Sequence, residues 1–480
     1  MSSRLPLAGV LRLGRPSDIW FKPALSVVAA VAPPNLALLA LGRLDLAMYM
    51  MAGSLCALYA HNRPYAARAR ALAWVILGML GGLAIALLTA SLTRSAVVLV
   101  AVGAVLAAVQ KVLCDATRIG PPGNVVLTFI SSAALFVPQS PDRIPGHLGL
   151  AAAAGAWAWL VGMAPGLLRP HGPERRATAA ALNAAAAHAE AQGAGRDATA
   201  THAATLTAVR AARQALRSTD ATPSSTAPDT HRALERLIVR AEVALAAPSD
   251  ADPAPLRDWA RQVRGNRPVP EVPHLTGVDS ELAPHPGPLW HRLHPLAPLA
   301  LRTALGCALA GYASLALGIG RPYWALVTAA SLYQADLALT WGRGVQRVVG
   351  NLLGVLFFAA LVPLAHTGEV ALVLCCLALN FGAEALIGRN YWLGSVCVTP
   401  MALLIAEFAG FQQPGPLINE RVVDTLVGAL VGLAAAVVVP HRKRVVRAER
   451  AGPRTLAATG SSRGRHPDQR TGKTTEGVRP

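Results

Sequence analysis

The sequence predicts an all-α polytopic membrane protein: two parallel six-helix repeats, about twelve transmembrane helices, with a cytoplasmic helical insert between them. Three observations carry this. About twelve uncharged apolar stretches fall into two sets, one over 22–168 and one over 297–440. The 480 residues are 53% hydrophobic and only 15% charged, with a mean hydropathy of +0.41, more apolar than a soluble chain of this length. Residues 169–296 then interrupt the pattern with a polar, alanine-rich segment. An apolar run of roughly 18 residues or more can cross the hydrocarbon core as a helix, and a duplicated bundle can enclose one site between its halves.

In the first half the spans fall at 23–41, 46–60, 71–90, 96–113, 124–137 and 147–167. The second half gives 299–319, 323–337, 348–364, 370–387, 391–406 and 422–439. The second, fifth and eighth spans are shorter than a comfortable crossing, so tilted, broken or re-entrant segments are expected there. Pro33 and Pro34 are read as a kink or break in the first span and not as the end of a cleaved signal peptide, because the apolar run continues past them. The repeat also shows in the loops. Gly42-Arg43 matches Gly320-Arg321; Arg63, Arg68 and Arg70 before the third span match Arg343 and Arg347 before the ninth; Arg118 matches Arg389. An even number of spans precedes the second half, so both halves enter the membrane from the same side.

Orientation follows from the basic residues. With a cytoplasmic N-terminal segment (1–21), the inner loops and the start of the tail hold Arg63, Arg68, Arg70, Lys111, Arg118, Arg343, Arg347, Arg389, Arg442, Lys443, Arg444, Arg447 and Arg450. The outer loops hold only Arg43, Arg94, Arg143, Arg321 and Arg421. This positive-inside asymmetry predicts both termini and the insert in the cytoplasm of a protein of the plasma membrane. Basic loops against anionic headgroups also account for the formal charge of +18, and no motif supports nucleic-acid binding. Within the insert, 177–217, 230–247 and 256–263 read as helices, and 268–288 reads as a flexible linker. The basic tail, 441–480, lacks apolar periodicity and reads as disordered.

No enzyme chemistry is indicated, and neither a cofactor nor a metal is implied. Gly472-Lys473-Thr474 resembles the end of a phosphate-binding loop, but Pro467 stands where that motif needs its first glycine. The six cysteines, Cys56, Cys114, Cys307, Cys375, Cys376 and Cys397, form no C-x-x-C pair and read as reduced thiols among helices. His285, His291 and His294 are interleaved with prolines and read as a solvated linker.

The functional candidates are polar residues inside spans, where an ionisable group costs roughly 2.5–3.5 kcal/mol at the centre and therefore faces the bundle interior or water. Glu384 follows Asn380 by four residues on one helical face and is a proton-coupling candidate, or else a side chain reaching the interface. Asp336 has the same standing, with pairing to a loop arginine as its structural alternative. Asp424 and Glu407 read as mouth or interface residues. Arg302 either snorkels to headgroups or points inward as a fork of donors for a carboxylate. Gly350 with Gly354, and Gly428 with Gly432, read as helix-packing pairs.

The second half also carries a recognisable run. Arg302-Thr303-Ala304-Leu305 is followed by Gly320-Arg321-Pro322-Tyr323-Trp324-Ala325-Leu326-Val327-Thr328, then by Thr340, Arg343, Arg347 and Gly350-Asn351-Leu352-Leu353-Gly354. It resembles the fusaric acid resistance (FUSC) and aromatic acid exporter family, best over 295–440. The resemblance implies proton-coupled efflux of aromatic or amphiphilic organic acids, with Arg302, Tyr323, Trp324, Arg343 and Arg347 along the anion path. Basic residues at a cytoplasmic mouth would concentrate anions there. The first half departs from the pattern, with Arg43-Leu44-Asp45 in place of Pro-Tyr-Trp and no counterpart of Arg302, so unequal contributions from the two halves are expected. A passive organic-anion channel is the alternative, by a more distant similarity to plant aluminium-activated malate transporters; a membrane scaffold or regulator acting through the insert ranks third. The expected partners are membrane lipids and a small organic anion, with a homo-oligomer or accessory subunit left open.

Overall fold

The structure is a computed structural model that describes residues 9–14, 20–220, 228–265, 268–270, 272, 293–334 and 337–438. Asp336, His285, His291, most of the 268–288 linker, the 441–480 tail and the Gly472-Lys473-Thr474 motif lie outside the described residues. Those described are helical with connecting turns. In the first half the helices are α1 (Phe21–Ala40), α2 (Ala47–Ser54), α3 (Tyr65–Leu92), α4 (Ala96–Thr117), α5 (Val125–Leu135) and α6 (Ile144–Leu168). The insert contributes α7 (Gly172–Gly193), α8 (Thr199–Asp220), α9 (Pro228–Ala246) and α10 (Pro253–Arg264). The second half contributes α11 (Ala297–Ala316), α12 (Tyr323–Leu332), α13 (Leu337–Ala365), α14 (Glu369–Ile387), α15 (Tyr391–Ala406) and α16 (Pro414–Val438).

Among the described residues nine helices are long and apolar enough to cross a membrane, where the sequence reading expects twelve. The difference lies in three short apolar helices, Leu44–Leu58, Val125–Leu135 and Tyr323–Leu332, which are the second, fifth and eighth spans of that reading. At 1.5 Å per residue, the ten residues of α12 rise ~15 Å, about half of a ~30 Å hydrocarbon core. Large apolar side chains such as Trp74, Leu92, Leu356 and Leu430 face outward from the long helices, where a soluble bundle would be polar.

α1 runs unbroken through Pro33 and Pro34. Pro33 cannot donate to the carbonyl of Ala29, and the Trp157 indole of α6 donates to it instead at 3.0 Å. Both α1 and α11 stop on a left-handed glycine, Gly42 (φ 61°) and Gly318 (φ 71°). In each case the next residue's N–H reaches back to the last turn, Arg43 N to Leu38 O at 2.9 Å and Ile319 N to Ser314 O at 3.1 Å. The structural counterpart of Gly42 is thus Gly318, not the Gly320 that the loop alignment suggests.

Helix pairings recur in the two halves. α1 packs on α14, and α11 on α4; α2 packs on α6, and α12 on α16; α3 packs on α5 and α6, and α13 on α15 and α16. Between the halves, α12 meets α4 and α5, while the Leu44–Leu46 turn meets the Glu407–Ala409 turn. The short helices therefore sit where the halves join.

The insert has its own core, with Leu182, Val209, Leu216, Leu237, Ile238 and Leu256 closing around the alanines of α7. The single helix expected over 177–217 is split in two by Gly193-Ala194-Gly195, and α8 restarts with Thr199 N bonded to Asp197 Oδ1 at 3.0 Å. Arg213 bridges α8 to α9, donating to Glu242 Oε1 at 2.8 Å and Oε2 at 2.7 Å, and to Glu235 Oε1 at 3.1 Å. Glu242→Ala leaves that buried guanidinium short of its main partner, which costs about 3 kcal/mol. Thermal unfolding followed by circular dichroism should show the insert melting earlier in this variant, and Arg213→Met combined with Glu242→Leu should recover most of the loss.

Candidate functional site

α12 is buried on every side: all residues from Trp324 to Leu332 are inaccessible. It holds its place because its neighbours carry small residues at the contact. A Cβ on Gly428 of α16 would come 2.5 Å from Ala325 O, and one on Gly432 would come 3.2 Å from Ala329 Cα. On the next pair of helices, a Cβ on Gly350 of α13 would come 2.6 Å from Trp392 O, and one on Gly354 would come 3.1 Å from Val396 O of α15. These approaches draw α12, α13, α15 and α16 around a polar centre.

At that centre stands Arg421, on the second turn of α16 and 2% exposed. The sequence reading assigns it to an outer loop; α16 instead begins at Pro414 and carries it inside the bundle. Its guanidinium lies 5.0 Å from the Trp324 ring, whose other cationic neighbour, Arg321, lies at 5.2 Å. Arg321 also pairs with Glu420 at 3.6 Å. Arg347 is buried as well and donates from Nη1 to the Tyr391 hydroxyl at 2.9 Å, while Arg343 lies 3.8 Å over the Tyr391 ring. Arg421 and Arg347 are within electrostatic reach of one another. Tyr323, half-buried, packs on Phe136, the residue that follows α5, at 5.8 Å, so that an aromatic wall joins the two halves.

Beside the Glu420 that pairs with Arg321, one further acid faces these bases. Asp424 is fully buried on the same face as Arg421 and accepts from Ser314 Oγ at 2.6 Å. The expected mouth or interface role of Asp424 and Glu407 does not match their burial: Asp424 lies beside Arg421, and Glu407 is closed off against His366 Nε2 at 3.0 Å. An uncharged chain, Thr425 Oγ1 accepting from Asn351 Nδ2 at 3.0 Å with Thr399 donating to Asn351 Oδ1, lines the next turn. Several buried polar atoms here have no protein partner: Arg421 Nε and Nη1, Arg347 Nε, Trp324 Nε1 and Asp424 Oδ2. Orphaned donors of this kind cost free energy unless something meets them. Four donors and one acceptor, with Arg421, Arg347 and Arg343 against Asp424, make a net cationic interior suited to a small anion.

The other candidates fall elsewhere. Arg302 does not snorkel: it is buried, donates from Nη2 to Gln334 O at 3.1 Å just past the end of α12, and lies 5.1 Å from the Tyr333 ring. Glu384 is half-buried on α14 with no ionic partner among the described residues, and no described contact joins it to the arginines. Its companion Asn380 bonds its own helix, at Cys376 O and 3.0 Å. The first half has a polar but mostly uncharged counterpart. Gln110 donates to Ser131 Oγ at 2.9 Å and accepts from Thr128 Oγ1 at 2.9 Å, with Arg68 bonded to His61 Nδ1 at 3.1 Å.

Residues 307–435 match the family model described as fusaric acid resistance protein-like. The match spans Trp324, Arg343, Arg347, Arg421 and Asp424, and most of the run that carries the resemblance in the sequence. The chain is also 31% identical over 150 residues to the uncharacterized membrane protein YvaC of Bacillus subtilis, which covers 31% of this chain and 24% of that protein. An uncharacterized protein of Synechocystis is 27% identical over 150 residues, 31% of this chain and 20% of its own length. One from Haemophilus influenzae is 31% identical over 135 residues, 28% of this chain and 18% of its own. The chain thus spans about a quarter or less of these relatives. No solved structure matches. Most of the second half is thus similar to fusaric acid resistance protein-like sequences, and its cationic centre lies within the matched segment.

Proposed function

We propose that the protein is a membrane transporter that exports organic acids, with aromatic or amphiphilic carboxylates as its substrates. The observation that carries this is the buried, incompletely partnered set Arg421, Arg347 and Trp324 around a helix that reaches only about half-way across the bilayer. Discontinuous helices at the junction of two repeats form the substrate sites of many secondary transporters. The recurring helix pairings support two parallel six-helix halves, and the basic residues of the loops support a cytoplasmic location for both termini and the insert. In this reading a carboxylate enters past Arg343, takes the free donors of Arg347 and Arg421, and rests its ring against Trp324 and Tyr323. Arg302 steadies the end of α12, and Gly350, Gly354, Gly428 and Gly432 keep the four helices close. Glu384 and Asp336 are the proton-coupling residues. A passive channel would need neither.

The test is uptake of a radiolabelled aromatic carboxylate into proteoliposomes with and without an imposed proton gradient, for the intact protein and for Glu384→Gln. Accumulation that requires the gradient and is lost in the variant is the expected result. Gradient-independent flux, equal in both, would replace the carrier with a channel.

A further inference from the structure

Residues 9–14 lie across one end of the second half, at the start of α15. Five hydrogen bonds hold them. Gln346 Nε2 donates to Val10 O at 2.8 Å, Asn390 Nδ2 to Val10 O at 3.2 Å and to Arg12 O at 2.9 Å, Trp392 Nε1 to Leu11 O at 3.1 Å, and Gly14 N donates to Arg389 O at 2.8 Å. Four of the five end on main-chain carbonyl oxygens of the segment. The donors stand next to the arginine cluster in the chain: Gln346 precedes Arg347, and Asn390 and Trp392 flank Tyr391, which contacts both Arg343 and Arg347. The segment itself buries little. Only Val10 is half-covered, lying over Gly342, while Leu11, Arg12 and Leu13 are exposed. A peptide held mainly by side-chain donors on its carbonyl oxygens, with little apolar contact, belongs to the low-stability end of a fold and releases readily.

We propose that residues 9–14 form a strap whose carbonyl oxygens occupy the amide and indole donors at the mouth of the arginine cluster, so that the strap competes with incoming carboxylates. A peptide carbonyl and a carboxylate oxygen call on the same N–H donors, and both cannot hold them at once. The strap therefore keeps the mouth closed until an anion displaces it. The inference rests on the anion reading of the cluster, and its test separates the two.

Val10→Cys with Gly342→Cys provides the probe, because the Val10 Cγ atoms lie 3.9 and 4.0 Å from where a Gly342 Cβ would stand, within reach of a disulfide. The six native cysteines are buried. Benzoate should slow formation of this disulfide severalfold in the purified full-length protein. In proteoliposomes the oxidised form should lose most of its carboxylate flux and regain it on reduction. Removing residues 2–14, which needs no engineered cysteine, should lower the half-saturating carboxylate concentration roughly tenfold if the strap is docked about nine-tenths of the time. A cross-linking rate indifferent to benzoate, a locked protein that transports like the reduced one, or an unchanged half-saturation in the truncated protein would overturn the strap. Flux absent from every form, with cross-linking still slowed by benzoate, would remove the transport reading and leave the strap standing.

Discussion

Arg421→Gln is expected to lower carboxylate exchange in proteoliposomes by about two orders of magnitude, since losing a charge-assisted contact to a buried anion costs ~3 kcal/mol. Arg421 is the only one of the three central arginines with two orphaned nitrogens, and its guanidinium faces the Trp324 ring at 5.0 Å. Lysine would restore the charge but not the planar fork or the stacking on Trp324, so Arg421→Lys should recover only a small part of the exchange. Size-exclusion elution of both variants separates this effect from misfolding. Exchange by Arg421→Gln at the intact rate would remove Arg421 from the path.

The second large effect is expected at Gly428. A valine there would bring its Cβ 2.5 Å from Ala325 O and 2.8 Å from Thr328 Cβ, and the backbone of a short helix walled in by α4, α5, α11 and α13 has little room to yield. Overpacking of this kind costs typically ~1–3 kcal/mol. Gly428→Val should therefore lower the melting temperature by several degrees and abolish exchange together, because α12 carries Trp324. Gly81→Val is the control: nothing lies within 4 Å of a Cβ at Gly81, so both its stability and its exchange should stay near those of the intact protein.

Much of the architecture was legible in the sequence because lipid imposes a simple rule, that long apolar runs are helices. Hydropathy marked the long helices, and it marked 46–60, 124–137 and 323–337 as unusually short. It does not register that the helix over 323–337 is only the ten residues Tyr323–Leu332, since a buried short helix and a crossing one share the same composition. The helical character of the insert was legible from its alanines, whereas its division at Gly193-Ala194-Gly195 depends on the left-handed turn of Gly195, which the alanine-rich composition masks. Arg421 and Asp424 were hidden for a physical reason. Pro414, Asn419, Glu420 and Arg421 look like a loop, yet they form the first turns of α16, which carry Arg421 to the Trp324 ring at the start of α12. The spacing Arg421, Asp424, Thr425, Gly428 on one helical face was the available signal. Glu384 and Asn380 share a face as their spacing requires, but a shared face does not bring them to the arginines.

The most direct measurement compares counterflow of a radiolabelled aromatic carboxylate with that of its neutral amide, in proteoliposomes holding the intact protein. A site built from Arg421, Arg347 and Trp324 should exchange the acid and leave the amide outside, since only the acid offers an anion to the free guanidinium donors. Equal exchange of the two, or exchange of the amide alone, would contradict a path organised around buried arginines.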